Sequence, residues 1–121
     1  MNLLMRKAEV SDIEGLDLVM QVISDGPGQP EKMAELITHI AKDEQKYLLV
    51  AENRDSGEIV GSLYGLAFED ICGDGSPILL VENVAVLEKG QGGGVGGRMF
   101  EEIERWGREQ GCHYEMLVSG L

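Results

Sequence analysis

Apolar positions in the first third of the chain recur three or four residues apart, which is the period of an amphipathic helix. A short strand over residues 3–8 leads into a helix predicted over about residues 12–24, and Ser11 and Glu14 have the spacing of a capping box at its start. Pro30 suits the first position of a second helix. The predicted apolar stripes are Ile13, Leu16, Met20 and Ile23 in the first helix and Met33, Leu36, Ile37 and Ile40 in the second.

From Lys46 onward the pattern changes to dense apolar runs of strand length, separated by turn residues. The first two runs flank a turn, which predicts an antiparallel hairpin. Predicted strands cover residues 46–53, 59–68, 78–86 and 112–118, and a third helix covers residues 94–110. The order β-α-α-β-β-β-α-β in a single domain, residues 1–121, predicts an α+β fold with helices on both faces of a mixed, mainly antiparallel sheet.

Composition narrows the classes of partner. The 121 residues carry 22 acidic and 10 basic side chains, a formal charge of −12. This charge disfavours nucleic acid and anionic membrane surfaces as partners, and it suits either a cationic partner or plain solubility. Cys72 and Cys112 lack the neighbours of a disulfide framework or a zinc site, so we expect reduced thiols and no metal. Without a long apolar run or a signal-peptide pattern, the predicted location is the cytoplasm.

The glycine-rich segment 90–97 is the part of the sequence that suggests chemistry. It holds six glycines, follows a strand and opens the third helix. The N-terminal end of a helix carries partial positive charge and free N–H groups, and glycine lets a phosphate approach them closely. The alternative is a flexible turn that binds nothing. The apolar stripe that anchors this helix is predicted to be Val95, Met99, Ile103 and Trp106.

Two nucleotide-binding patterns fit this loop poorly. Gly92, Gly94 and Gly97 satisfy the dinucleotide fingerprint G-x-G-x-x-G, but near the end of the chain, and the acid at the expected distance, Glu115, falls within a strand. A P-loop requires a lysine after its last glycine, where this sequence has Arg98.

A third pattern fits better. The segment from Gln91 to Gly96 matches Q/R-x-x-G-x-G/A and follows a strand that ends Asn83-Val84-Ala85-Val86. This combination resembles the acetyl-CoA motif of the GNAT superfamily of acyl-CoA N-acyltransferases. The resemblance implies that the loop and the start of the helix hold the coenzyme A pyrophosphate and that the strand pairs with the pantetheine arm. The implied residues are Gln91, Gly92, Gly93, Gly94, Val95, Gly96, Gly97 and Arg98 for the first, and Val84, Ala85 and Val86 for the second.

The resemblance also implies direct attack of an amine on the thioester, for which the protein supplies a base and an oxyanion-type N–H. Glu82 is the candidate base because it interrupts an apolar strand, although a solvent-facing structural glutamate is an equal alternative. Asn83 is a candidate for orienting water or substrate, or else a buried amide at a strand irregularity. Tyr64 and Tyr114 are expected to pack, and His39 and His113 to lie at the surface or to pack.

Members of this superfamily usually continue with a helix that bears a general-acid tyrosine and with closing strands, which this sequence lacks. The explanations left open are a truncated chain, a homodimer that completes the sheet edge, or a protein that binds acyl-CoA without transferring it. The predicted function is N-acetyl transfer from acetyl-CoA to a primary amine, on a small molecule or a peptide. The alternative is a non-catalytic or weakly active acyl-CoA-binding module.

Overall fold

A twisted sheet forms the centre of the structure, which is a computed structural model and describes residues 1–117. The described residues form five strands in the order β1-β2-β3-β4-β5, antiparallel except for the parallel pair β4–β5. The strands are β1 Leu3–Lys7, β2 Lys46–Asn53, β3 Glu58–Phe68, β4 Ile78–Val86 and β5 Tyr114–Leu117. The helices are α1 Ile13–Met20, α2 Pro30–Ala41 and α3 Val95–Glu109. The predicted element order and α+β class are confirmed.

The helices lie on opposite faces of the sheet. Alternate residues of a strand point to opposite faces, so Leu49 packs in the cluster beneath α3 while Val50 packs in the cluster beneath α1 and α2. On the α3 side, β3 carries glycine where the helix passes over it. A Cβ atom at Gly61 would lie 2.7 Å from the Sδ of Met99. The absence of a side chain at Gly61 therefore lets α3 approach β3 closely.

α1 begins at Ile13, within one residue of the predicted start, but the residues predicted to cap it are wrong. A 3-10 turn over Val10–Asp12 precedes the helix, and the carboxylate of Asp12 accepts the backbone N–H of Glu9 at 2.7 Å. Arg6 on β1 donates to both oxygens of the same carboxylate, at 2.8 and 2.9 Å. The side chain that satisfies a backbone N–H before this helix is therefore that of Asp12, because Arg6 on β1 holds its carboxylate in place. Ser11 and Glu14 do not form the predicted capping box.

Both apolar stripes of the first two helices were predicted too wide. α1 ends at Met20, and Ile23 beyond it is 48% exposed. The loop after α1 turns back, and the N–H of Gly28 donates to the Asp17 carboxylate at 2.7 Å. In α2, Ile37 is buried but Leu36 is 45% exposed. Only a narrow stripe of apolar residues is buried on each helix, because each helix covers only part of one sheet face.

The last strand begins two residues later than predicted. β5 begins at Tyr114, and Cys112 and His113 lie in the turn before it. Residue 118, the predicted end of this strand, lies outside the described residues. Within residues 1–117, no helix has both the length and the apolar character of a bilayer span. The cytoplasmic location and the homodimer stay predictions.

Candidate functional site

A β-bulge in β4 lies at the candidate site. Ser62 pairs with Ala85 and Tyr64 with Glu82, so the single residue between them on β3 faces two residues of β4. Asn83 takes up the extra length with φ 54°, a left-handed conformation that asparagine adopts more readily than most residues. The bulge shifts the alternation of side chains. Glu82 and Ala85 therefore point to the face of α1 and α2, while Asn83 is exposed.

One edge of β4 faces its parallel neighbour β5. The described pairing with β5 runs from Ile78 to Val81, which lies opposite Leu117, the last described residue. Beyond the bulge, the N–H of Leu87 donates to the carbonyl of Val60 on β3 at 2.9 Å. Because backbone groups alternate along a strand, Val84 and Val86 present theirs to the opposite edge. Among residues 1–117 no strand pairs with this edge beyond Val81, so its main-chain groups are candidates for pairing with an extended ligand.

The glycine-rich loop closes one end of that edge. After a 3-10 turn over Glu88–Gly90, the side chain of Gln91 folds back and donates from Nε2 to the carbonyl of Val86 at 3.1 Å. The N–H of Gly93 donates to the carbonyl of Gly90 at 3.3 Å. The loop is therefore held by its own hydrogen bonds at the point where β4 ends.

The first turn of α3 leaves its backbone donors free. The first bond of the helix runs from the N–H of Arg98 to the carbonyl of Gly94 at 3.1 Å, so the N–H groups of Val95, Gly96 and Gly97 have no partner within the helix. Gly94 caps the helix at φ 80° with no side-chain hydrogen bond, and the first turn contains no acidic residue. Cβ atoms added at Gly92, Gly94, Gly96 or Gly97 would meet nothing within 4 Å. The turn is thus an open, positively polarised surface suited to a phosphate.

Arg98 lies just beyond the free donors of this turn. Its backbone N–H is used inside the helix, and one nitrogen of its guanidinium donates to the carbonyl of Leu3 on β1 at 3.3 Å. The other basic residue of the segment, Lys89, pairs with Glu58 at 2.8 Å. The donors of the loop itself are therefore main-chain N–H groups, and the exposed guanidinium of Arg98 stays a predicted contact of the anion.

The candidate catalytic residues occupy two different environments. Glu82 is half-buried and lies directly across from Tyr64, which is half-buried too. The expected strand irregularity at Asn83 is present, but a buried amide was the wrong expectation, because the side chain is exposed. Tyr114 is 48% exposed and its ring packs against that of His113, with centroids 4.6 Å apart. His39 lies on the exposed side of α2.

Comparison with known proteins assigns the family. The sequence model described as the acetyltransferase (GNAT) family matches residues 14–119. The chain belongs to the GNAT acetyltransferase family. This confirms the resemblance found in the sequence, and it supports the use of coenzyme A by this GNAT chain in acyl-CoA-dependent acetyl transfer. No curated protein matches the chain by sequence.

Solved structures confirm the GNAT fold. Glucosamine-6-phosphate N-acetyltransferase from Arabidopsis thaliana superposes with a TM-score of 0.88 at 19% identity, covering 100% of this chain and 84% of that one. An acetyltransferase from Trypanosoma brucei gives 0.85 at 21% identity, covering 98% and 84%. The aminoglycoside acetyltransferase AAC(6')-Iy, bound to a bisubstrate analogue of coenzyme A and acetylneamine, gives 0.80 at 18% identity, covering 99% and 81%. At these identities the likeness is one of fold.

Proposed function

We propose that this chain transfers the acetyl group of acetyl-CoA to a primary amine. The observation that carries the proposal is the first turn of α3, where the N–H groups of Val95, Gly96 and Gly97 face open space after the end of β4. A pyrophosphate and an extended amide-bearing arm, joined end to end, match these two features in order. Coenzyme A has this construction.

The residues present fit that ligand. The donors for the pyrophosphate are the backbone N–H groups of the loop and first turn, and the glycines keep side chains out of its way. These residues are Gln91, Gly92, Gly93, Gly94, Val95, Gly96 and Gly97. The edge formed by Val84 and Val86 pairs with the pantetheine arm, whereas the backbone groups of Ala85, between them, face β3. Arg98 stays in the proposal because a guanidinium has five N–H donors and only one of its nitrogens is bonded to the carbonyl of Leu3.

Glu82 serves as the base. Glu82 directly precedes the bulge residue Asn83 and follows Val81, the last β4 residue with a described partner on β5, so it borders the end of the proposed cleft that the thioester would reach. The amine attacks the thioester carbonyl carbon, and its ammonium proton passes to Glu82 directly or through water. A backbone N–H of β4 beyond the bulge stabilises the oxyanion. Asn83 acts as a positioning residue by holding the bulge through its left-handed backbone.

The acceptor is an amine on a small molecule or a peptide. The aminoglycoside and amino-sugar enzymes that share the fold carry small-molecule acceptors in their names, which supports the first of these. The second candidate function is acyl-CoA binding without transfer. It is favoured by one observation: among residues 1–117, the site offers a base but no tyrosine hydrogen-bonded to it.

Ligand binding and transfer are measured separately to test the proposal. Saturation with acetyl-CoA at about 100 times its Kd adds about 2.7 kcal/mol to the unfolding free energy, which raises the Tm by several degrees, while NAD does not. Release of free thiol above hydrolysis, with a panel of amines, establishes transfer. A Tm shift without release favours the binding module, and no shift contradicts both functions.

Replacing Glu82 tests the assigned base. Glu82→Gln is expected to lower kcat about 100-fold and to leave acetyl-CoA binding unchanged, because the amide keeps the shape but takes no proton. Glu44→Gln, an exposed glutamate before β2, is the matched control and keeps full activity. Equal activity of Glu82→Gln and the parent would remove Glu82 from the mechanism.

A further inference from the structure

One side of the sheet carries an apolar surface that no helix of the described residues covers. The cross-strand register places Leu66, Leu80 and Met116 in one row, and Phe68, Ile78 and Tyr114 in the next. A third row, closer to the bulge, contains Tyr64 and Glu82. We call these side chains the open face; its members are Tyr64, Leu66 and Phe68 of β3, Ile78, Leu80 and Glu82 of β4, and Tyr114 and Met116 of β5.

α1 and α2 cover only the neighbouring part of this side. Their apolar cluster includes Val50, Ile59 and Ala85, with Leu48 at its border, and does not reach the rows of the open face. Tyr64, Leu66 and Leu80 are accordingly half-buried. At the outer edge, Met116 is 38% exposed and Tyr114 48%. Ile78 is a buried member of the face, at 5% exposure. The other apolar side chains, from three adjacent strands, form a surface that reaches solvent.

Glu82 is the one carboxylate that the described strands place on the open face. Two pairs of charges lie at its borders: Lys46 lies 3.4 Å from Asp43 at the β2 side, and Asp70 lies 3.0 Å from His113 at the loop side. The backbone N–H of Cys72 and the His113 ring hold the pKa of Asp70 below its usual range. Glu69, directly after β3, is exposed at the same loop border and lies outside the strands. A cation bound over the strands themselves therefore finds its counter-charge at Glu82, beside the bulge.

We infer that the acceptor is a monoamine with an apolar body, an alkylamine or arylalkylamine. This inference rests on the proposed function and names the substrate class of the same site. The ammonium group pairs with Glu82 while the carbon body lies over Tyr64, Leu66 and Leu80. An amino sugar on this surface would bury several hydroxyl groups over Leu66 and Leu80, which offer no hydrogen-bond partner, with only the hydroxyl of Tyr64 beside them, and this is costly. The transfer forms the C–N bond, breaks the C–S bond, moves the ammonium proton to Glu82 and leaves the thiolate to take a proton from water.

A homologous series of amines tests the inference. For unbranched amines from ethylamine to octylamine, kcat/KM is expected to rise about twofold with each methylene, because an open surface buries about half of each group. Phenethylamine should match the longer alkylamines. Glucosamine and spermidine should fall below butylamine.

Two variants locate the effect on the open face. Leu80→Thr introduces a β-branched residue, which suits a strand, and is expected to lower kcat/KM for octylamine about tenfold, while ethylamine changes little. Leu4→Thr is the matched control, since Leu4 on β1 lies on the same side of the sheet and is 37% exposed, two strands away. Leu4→Thr should leave kcat/KM unchanged for both amines. An equal loss for both amines in Leu80→Thr would contradict the inference.

Equilibrium binding separates this inference from the proposed function. Calorimetric titration of the coenzyme-A-saturated protein with ethylamine and octylamine measures affinity without turnover. Tighter octylamine binding with no transfer to any amine would support the open face as the amine-binding surface and contradict the proposed function. Preferred transfer to glucosamine or spermidine would contradict the open face as the acceptor site and support the proposed function. Dimerisation broken by Leu80→Asp, with no octylamine binding, would assign the face to a second copy and overturn the inference.

Discussion

The two ends of α3 differ in how completely their polar groups are satisfied. At the C-terminal end, Gly111 turns the chain at φ 83°, and the N–H of Cys112 donates to the carbonyl of Gly107 at 3.0 Å. Arg105 in the last turns pairs with Glu102 and Glu109. At the N-terminal end, no side chain caps the helix and the first N–H groups face open space. The end that is left unsatisfied is the end proposed to bind the coenzyme.

An unsatisfied helix end has to be held in place by something other than its own hydrogen bonds. α3 is held by its buried stripe, in which Val95 is 1% exposed and Met99 and Ile103 are fully buried. Val95 is also the first residue of the helix, so burial begins at the turn that carries the free donors. Stability and binding are thus supplied by different residues of one helix. Substitutions should be able to separate the two.

The largest expected effect is on stability, at the C-terminal half. Trp106 is 5% exposed and meets Tyr47 edge-on, with ring centroids 5.7 Å apart. Trp106→Ala removes this contact and leaves a cavity under the helix, at an expected cost of about 3–5 kcal/mol in the unfolding free energy. Urea denaturation measures it. Trp106→Phe refills part of the space and should cost less than half as much, whereas equal losses would mean that packing is not the cause.

The next effect is on binding, at the N-terminal end. A side chain added at Gly96 meets no atom within 4 Å of its Cβ position, so Gly96→Leu should leave the free protein as stable as the parent or slightly more stable. The same side chain fills the space proposed for the pyrophosphate. We expect coenzyme A to bind at least 100-fold more weakly, about 2.7 kcal/mol, by calorimetric titration.

A leucine at the same position of another helix controls for that substitution. Glu31 is the second residue of α2, as Gly96 is of α3, and it is exposed. Glu31→Leu should bind coenzyme A like the parent. Undiminished binding by Gly96→Leu would show that the first turn of α3 does not hold the pyrophosphate.

The sequence predicted well those features that depend on one element alone. The stripe of α3, from Val95 to Trp106, is buried as its spacing indicated, and Pro30 begins α2. The exposure of Ile23 and Leu36 could not be predicted from the spacing of apolar residues. Whether an apolar position on a helix is buried depends on how much of the sheet that helix covers.

Features that depend on two distant segments could not be predicted in detail. The carboxylate before α1 is Asp12 because Arg6, on β1, also pairs with Glu52 of β2 and is fixed there. The bulge was suggested only by Asn83 as a polar residue in an apolar strand. Its position follows from the register with β3, and the same register brings Tyr64 opposite Glu82. The candidate base was thus identified from the sequence, and its surroundings required the fold.

The smallest expected effect is a pH dependence of the unfolding free energy, from the contact between β5 and α3. Burial, together with a hydrogen bond to Glu104, raises the pKa of Glu115 to about 7. Because the folded state favours the protonated carboxyl, the stabilisation is complete below about pH 4.5, the ordinary pKa of a glutamate, and is lost as the pH rises to about 7. Solvent screening limits the loss to less than about 1 kcal/mol. Glu115→Gln should flatten this slope in urea titrations between pH 4.5 and 8, whereas Glu109→Gln, exposed at the end of α3, should keep it. A parent slope unchanged in Glu115→Gln would assign the pH dependence to other groups.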